Sequence, residues 1–155
     1  MNTIFRTPLA IGLSTALMAL AACQTTNPKQ ENTVSNQELF EHARQGNLIK
    51  LGQVVGGGAD VNVTDADGMT ALMHAAANNN YAEAGLLVGK DANLDARDNS
   101  GKSALMYASA AGSHKVVKLL LKKGADSSLA DKDGKTAADH AGEDPKVLKL
   151  LRDLG

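Results

Sequence analysis

The sequence predicts an all-α repeat fold, a solenoid of stacked helical units, and three observations support this prediction. Gly68, Gly101 and Gly134 are spaced 33 residues apart. The phrase TALMHAA, which starts at Thr70, returns as SALMYAS from Ser103. Hydrophobic residues make up 43% of the chain but aromatic residues only 3%, which favours close-packed helices of Ala, Leu, Val and Met over a sandwich or barrel. A fixed period of this length indicates units that bury their faces on their neighbours.

The first 22 residues are predicted to be a signal peptide. Leu9 to Ala22 is apolar apart from Ser14 and Thr15, which suits the hydrophobic region of an export signal better than a bilayer span. The run ends at Leu20-Ala21-Ala22-Cys23, which resembles the lipobox of bacterial lipoproteins. The resemblance implies that residues 1–22 are cleaved and that Cys23 carries a diacylglycerol. An ordinary export signal followed by a chance cysteine is the alternative.

The segment after the lipobox is predicted to be a flexible tether. Gln24 to Thr33 is polar, contains a Pro and has no apolar periodicity. Cys23 is the only cysteine, so the mature chain is expected to have no disulfide. The predicted organisation is therefore a signal peptide (1–22), a lipidated Cys with its tether (23–34) and a repeat domain (35–155).

Each repeat unit has a readable order of local signals. An Asp-x-x-Gly sequence predicts a turn, and Thr70, Ser103 and Thr136 follow it as helix N-caps. A short Ala-rich helix, a Gly or Asn break and a second helix come next. In the third unit the second helix, His114 to Lys123, has apolar residues at helical spacing and ends at Gly124. The unit is turn, helix, helix.

These units resemble ankyrin repeats, in which D-x-x-G-x-T-P-L-H-x-A-A precedes a Leu-rich helix and G-A-D-V-N. The resemblance covers about residues 35 to 155 and implies four stacked units, two complete and two terminal. The first unit opens with Ser35-x-x-Glu38, which fits a capping box, and Pro145 begins the last helix early. Two family positions differ throughout. Ala71, Ala104 and Ala137 replace the Pro, and Met73, Met106 and Asp139 replace the His.

Repeat two is predicted to contain the softest helix. Its second helix, within YAEAGLLVGK, includes Gly85 and Gly89, and each Gly costs on the order of 1 kcal/mol relative to Ala. We expect its amides to exchange fastest among the repeats.

Composition and motifs do not favour an enzyme. Isolated histidines occur at His42, His74, His114 and His140, and are interpreted as filling the space between repeats or meeting water. No cofactor and no metal site is predicted. A formal net charge of −1 argues against nucleic acid as a partner.

The resemblance implies a partner-binding surface on the concave face, formed by turn tips and first helices. By position, the tip residues are Ala66, Asp67 and Met69, then Asn99, Ser100 and Lys102, and then Lys132, Asp133 and Lys135. The helix positions are Arg44, Gln45, Ala77, Asn78, Ala110 and Ala111. We expect a partner to insert side chains over the alanines and to place acidic groups near Lys102 and Lys135. The alternative is that these are only soluble surface residues.

The predicted function is a protein-binding module anchored in the cell envelope. Gln24, rather than Asp, follows Cys23, which by the sorting rule of proteobacterial lipoproteins implies the periplasmic face of the outer membrane. The membrane is expected to be contacted through the N-terminal lipid only. The expected partner is an unidentified periplasmic or envelope protein. The resemblance to bacterial ankyrin proteins linked to oxidative-stress defence implies an enzyme that the module stabilises or localises. Alternatives are a toxin neutralised by an immunity protein and, from a different class, a small-ligand or metal-dependent enzyme.

Overall fold

A computed structural model describes the backbone of residues 28–155 and the side chains of residues 36–155. The predicted signal peptide, Cys23 and residues 24–27 of the predicted tether lie outside the described residues. Residues 33–155 form one compact unit. None of the helices in the described part of the chain has the length and apolar character that crossing a membrane requires.

The described chain folds into four pairs of helices, which confirms the predicted all-α repeat fold. The first helices of the pairs are α1 (Pro28–Gln45), α3 (Ala71–Ala77), α5 (Ala104–Ala110) and α7 (Ala137–His140). The second helices are α2 (Leu48–Gly56), α4 (Tyr81–Val88), α6 (His114–Lys122) and α8 (Pro145–Leu154). Between residues 28 and 155 there is no β-strand, although single antiparallel bridges join Thr64 to Thr70 and Ala130 to Thr136.

Helix α1 corrects the predicted start of the first unit. It begins at Pro28, so Ser35 lies inside the helix and does not cap it. The tether prediction is therefore wrong for residues 28–33, which are helical. Proline is accepted in the first turn of a helix, and the Lys, Gln and Glu that follow it have good helix propensity.

The predicted caps mark the starts of the next first helices, but the three caps differ in their hydrogen bonds. Thr70 accepts the backbone N–H of Met73 at 3.3 Å. Thr136 instead donates both its N–H and its hydroxyl to the Asp139 carboxylate, each at 2.8 Å. The hydroxyl of Ser103 is buried and has no hydrogen-bond partner within the described residues, so this cap stabilises α5 by backbone geometry alone.

Helices α2, α4 and α6 are each followed by a residue in the left-handed conformation, and this residue is not a glycine in repeat two. Gly58 and Gly124 follow α2 and α6 with φ of 95° and 94°, and the equivalent residue after α4 is Asp91 with φ of 60°. A side chain in this region is strained, whereas glycine is not. Repeat two therefore ends its second helix at a higher conformational cost than its neighbours.

The core is a continuous stack of small and branched apolar side chains between the helix pairs. Met73 and Met106, which stand where ankyrin repeats have His, are fully buried and pack in the core, and the Met73 sulfur also accepts the backbone N–H of Thr70 at 3.4 Å. The second helices pack side by side in chain order, α2 on α4, α4 on α6 and α6 on α8. The largest fully buried aliphatic residues are Leu39, Leu51, Leu72, Leu87, Leu105, Val116, Val117, Leu120 and Val147.

Candidate partner-binding surface

Every complete turn is organised by one oxygen of its aspartate. In the first of them, Asp65 Oδ1 accepts the backbone N–H groups of Asp67 and Met69, both at 2.9 Å. The same pair of bonds recurs from Ser100 and Lys102 to Asp98, at 2.8 and 2.9 Å, and from Asp133 and Lys135 to Asp131, both at 2.9 Å. The aspartates thus fold the turns, as their position in the sequence predicts.

The second oxygen of each aspartate binds a side chain on the first helix of the same repeat. His74 Nε2 lies 2.8 Å from Asp65 Oδ2, and His140 Nε2 lies 2.7 Å from Asp131 Oδ2. In the middle repeat the hydroxyl of Tyr107 donates to Asp98 Oδ2 at 2.5 Å. The expectation that His74 and His140 only fill inter-repeat space or meet water is therefore incomplete, because both also fasten a turn to its helix. We call these three contacts the aspartate–ring pairs.

Three side chains in the aspartate–ring pairs, Asp65, Asp131 and Tyr107, have shifted pKa values. Burial by itself would raise the pKa of Asp65, but hydrogen bonds from His74, Met69 and Asp67 outweigh it and lower the pKa. The pKa of Asp131 is also lowered, chiefly by the backbone N–H of Lys135 and, against burial, by His140. Burial and the adjacent Asp98 carboxylate raise the pKa of Tyr107. The turns are thus stabilised by ionised aspartates and, in repeat three, by a protonated phenol.

Successive turns are also hydrogen-bonded to one another. The N–H of Asn99 donates to the carbonyl of Asp67 at 2.9 Å, and one repeat later the N–H of Lys132 donates to the carbonyl of Ser100 at 3.0 Å. The Asn99 amide adds a bond of 3.1 Å to the carbonyl of Ala66. The Arg97 guanidinium joins the carbonyls of Gly101 and Ala130. These bonds hold the tips in one row with fixed spacing.

The tip residues predicted from the sequence lie on this row, with two exceptions in exposure. Met69 is half-buried, and Lys102 is half-buried with its Nζ 5.9 Å from the centre of the Tyr107 ring. That distance allows a cation–π contact, so Lys102 is held against the surface rather than projecting from it. The exposed tip residues are Ala66, Asp67, Asn99, Ser100, Lys132, Asp133 and Lys135.

The residues predicted on the first helices form the rest of the surface. Ala77 is half-buried, and Asn78, Ala110 and Ala111 are exposed at the ends of α3 and α5. Arg44 and Gln45 are exposed at the end of α1, where both donate to the carboxylate of Glu41, Arg44 at 2.6 Å. We call the tips and these helix ends together the turn-tip surface.

Sequence reasoning missed an aromatic groove at the N-terminal end of this surface. It has a volume of about 200 Å³, and its lining residues are Gln37, Phe40, Glu41, Arg44, Asp65 and His74. The Phe40 and His74 rings are tilted against each other with centres 5.8 Å apart. The signal available was the offset of 33, which aligns Glu41 with His74, Tyr107 and His140. Because the first unit has no Asp-x-x-Gly to mark its register, this alignment is difficult to recognise in the sequence.

The chemistry of the surface is that of hydrogen bonding and contact. Among the side chains of residues 36–155, no three His, Cys, Asp or Glu residues converge in a way that would hold a metal ion. His114 is paired instead with Asp144, at 2.9 Å, where Asp144 caps α8 through its other oxygen. The row of fixed turns, beside a shallow floor of small side chains, presents backbone and side-chain polar groups to the surroundings.

Comparison with known proteins places this geometry in a family. The family model described as ankyrin repeats (3 copies) matches residues 39–131 and residues 86–155. The two matched ranges overlap and together run from α1 to the last residue. No curated protein matches the chain.

Proposed function

Because this chain belongs to the ankyrin-repeat family, we propose that it is an envelope-anchored module that binds a periplasmic protein on its turn-tip surface. Ankyrin repeats serve as protein–protein interaction modules. The observation that carries the choice of surface is the row of hydrogen-bonded turns. Asp65, Asp98 and Asp131 each fix a turn through one oxygen and fasten it to a helix through the other.

A fixed row of turns favours binding because the turns are already ordered in the folded protein and lose little conformational entropy when a partner binds. Loops that are mobile before binding lose conformational freedom when a partner orders them, and that loss lowers affinity. Here the Asn99 and Lys132 backbone bonds already join neighbouring tips. The half-buried Phe40 beside His74 adds an aromatic contact at one end of the row.

The location rests on the N-terminal sequence. Leu20-Ala21-Ala22-Cys23 supports lipidation at Cys23, and Gln24 supports retention on the periplasmic face of the outer membrane. Metabolic labelling with palmitate tests this step directly. We expect label in the wild-type chain and none in Cys23→Ser. Equal labelling of both would contradict the anchor.

The partner is tested by affinity capture from a periplasmic extract with residues 24–155 as bait. That fragment keeps all of the described core, which runs from Leu39 to Leu151. The tip variant reverses charge at Lys102 and Lys135, and a matched variant reverses charge at Lys118 and Lys122 on α6. We expect one protein to be retained by the wild type and the α6 variant and lost by the tip variant. Circular dichroism is the control that checks whether each bait is folded.

Loss of the partner with the α6 variant and retention with the tip variant would overturn the choice of surface. Failure of every bait to retain a protein, across a range of salt, would overturn the periplasmic-partner proposal. The identity of a captured protein then separates an enzyme that is stabilised from a toxin that is neutralised.

A further inference from the structure

The second helices carry all the large hydrophobic side chains that are exposed in the described chain. Ile49 is 77% exposed and Tyr81 is 49% exposed. The full set comprises Leu48, Ile49, Tyr81, Leu148 and Leu154, on α2, α4 and α8. Single exposed apolar residues are ordinary on a protein surface. Their restriction to the second helices distinguishes the surface that these helices form from the rest of the described protein.

The same helices concentrate positive charge. Their basic residues are Lys50, Lys115, Lys118, Lys122, Lys146, Lys149 and Arg152, and their acidic residues are Glu83 and Asp153. Glu83 is only 4% exposed, so Asp153 is the one acidic side chain that these helices expose. The whole chain has a formal net charge of −1, so its compensating acidic residues lie elsewhere.

Charge and apolar surface meet in one open groove between α4 and α6. Tyr81, Lys115, Lys118, Leu119 and Lys122 line it, and its volume is about 440 Å³. The three lysines recur at helical spacing and are exposed, while Val116, Val117, Leu120 and Leu121 of the same helix are buried. Lysine stems lie readily along apolar surface and carry their ammonium groups outward.

We propose that the exposed face of the second helices docks on a membrane surface and binds anionic phospholipid headgroups. The lysine row of α6 matches a negatively charged leaflet in sign, and Tyr81 beside it has the amphipathic ring that lies well at headgroup depth. Ile49 lies on α2, which packs beside α4, and it is exposed. It supplies an apolar contact of the kind that interfacial helices bury.

A lipid surface fits this face better than a protein does. Protein interfaces concentrate their energy in a central cluster of desolvated aromatic and Arg residues, with charged residues depleted there. Here the apolar residues stand apart on α2, α4 and α8, with lysines between them on α6. The docking face shares no residue with the turn-tip surface, so the inference does not depend on the proposed function. It would add a second membrane contact to the proposed N-terminal lipid.

The first test is sedimentation of residues 24–155, which lack the lipidated cysteine, with phospholipid vesicles. We expect binding to vesicles of phosphatidylcholine mixed with phosphatidylglycerol, little binding to phosphatidylcholine alone, and loss of binding as salt rises. Equal binding to both vesicle types, or none to either, would overturn the proposal. Binding to soluble polyglutamate with none to the mixed vesicles would also overturn it and point to an acidic protein.

Charge-removing variants test the face itself. Each lysine near an anionic surface contributes roughly fivefold to partitioning, so Lys118→Gln should reduce vesicle binding about fivefold and a Lys115/Lys118/Lys122→Gln triple about a hundredfold. Lys90→Gln, an equal charge change in the exposed loop after α4, is the matched control and should leave binding nearly unchanged. Equal losses from Lys118→Gln and Lys90→Gln would show a diffuse charge effect and contradict the assigned face.

A fluorescence measurement tests whether Tyr81 enters the membrane surface, independently of the lysine variants. The chain contains no Trp, so Tyr81→Trp places a single tryptophan in the groove, which can be excited selectively over the remaining Tyr107. We expect its emission to shift to shorter wavelength on addition of the mixed vesicles, because the indole leaves water. An unchanged spectrum under conditions in which the protein sediments with vesicles would place Tyr81 outside the contact and overturn this docking geometry.

Discussion

The turn aspartates divide their two oxygens between two tasks. In Asp65, one oxygen accepts two backbone N–H groups of the turn and the other binds His74. The sequence predicts the first task, because Asp at the start of a Gly-containing turn accepts nearby backbone N–H groups. It does not predict the second, since a contact between residues nine positions apart depends on how the turn folds back on α3.

Gly68 offers a test of how tightly two turns approach. It has φ of 78°, and an added Cβ would lie 2.8 Å from Asn99 Oδ1 and 2.9 Å from Asn99 N. Gly134 has the same φ and no heavy atom within 4 Å of that position. We expect Gly134→Ala to cost about 1–2 kcal/mol from backbone strain alone. Gly68→Ala should cost at least about 1 kcal/mol more, because the Asn99–Asp67 bond is displaced.

Chemical denaturation of both glycine variants measures the difference. Equal losses of unfolding free energy would show that the Asn99 contact contributes nothing beyond the strain at the glycine.

Tyr107 should resist deprotonation. The chain has two tyrosines, so Tyr81→Phe leaves Tyr107 as the only phenol in the described residues and in the chain. Burial and Asp98 raise its pKa above the ordinary value of 10.0. An alkaline absorbance titration of Tyr81→Phe should therefore show phenolate only well above pH 10, or only when the protein unfolds. A transition near pH 10 in the folded protein would contradict the Tyr107–Asp98 contact.

At the level of whole elements, the helices follow local signals except where the first unit departs from the repeat. Thr70, Ser103 and Thr136 mark helix starts as predicted. The start of α1 at Pro28 was missed because Ser35-x-x-Glu38 has the form of a cap, yet residues with good helix propensity precede it. A sequence of the capping-box type can therefore lie inside a helix and need not mark where the helix begins.

Helix α4 remains the predicted soft element, and the structure adds a second reason for it. Gly85 lies inside the helix where α6 has Lys118, and Asp91 holds a left-handed conformation after it where α2 is followed by Gly58. Hydrogen–deuterium exchange should therefore be faster in α4 than in α2 or α6. Slower exchange in α4 than in both neighbours would contradict the prediction.

Two glycine substitutions test the cause of that softness. Gly85 and Gly124 both have open space where a Cβ would stand, but only Gly124 has a positive φ, of 94°. Gly85→Ala should stabilise the protein by about 1 kcal/mol through higher helix propensity. Gly124→Ala should destabilise it by about 1–2 kcal/mol. Thermal unfolding measures the change in stability of both variants. A change of the same sign in the two variants would refute the backbone explanation.

Across the whole molecule, acid should weaken the stack. The pKa values of Asp65, Asp131 and Asp144 are lowered in the folded protein relative to the ordinary value of 3.8. A lowered folded pKa contributes stability above the unfolded pKa, and this contribution is lost as pH falls through the folded value. We therefore expect the unfolding temperature to decrease below about pH 4.

The matched variants for acid unfolding are Asp65→Asn and Asp131→Asn. Each removes one titrating carboxylate, so each should be less stable than wild type at neutral pH and should lose less stability on acidification. An acid dependence as steep as that of the wild type would show that these aspartates do not govern the transition.

The faces of the molecule were less predictable than its fold. Spacing of 33 residues indicates which positions are equivalent, and the tip residues of the candidate site follow from that. It does not indicate that Lys102 folds over Tyr107, or that Tyr81 on α4 lies beside the lysines of α6. The first relation depends on how the turn folds back on α5 within one repeat. The second crosses from one repeat to the next, so it depends on the stacking distance rather than on any local pattern.

The bonds between turns also decide how the protein would respond to a pulling force. Asn99 joins the second repeat to the third and Lys132 joins the third to the fourth, so tension along the stack loads one interface after another. Each repeat would detach singly and release its own length of chain. With 33 residues per repeat, a force–extension trace should rise and fall in steps of roughly 110 Å, less the folded thickness of the unit. A protein stretched between a lipid anchor and a captured partner would then yield gradually instead of breaking at once.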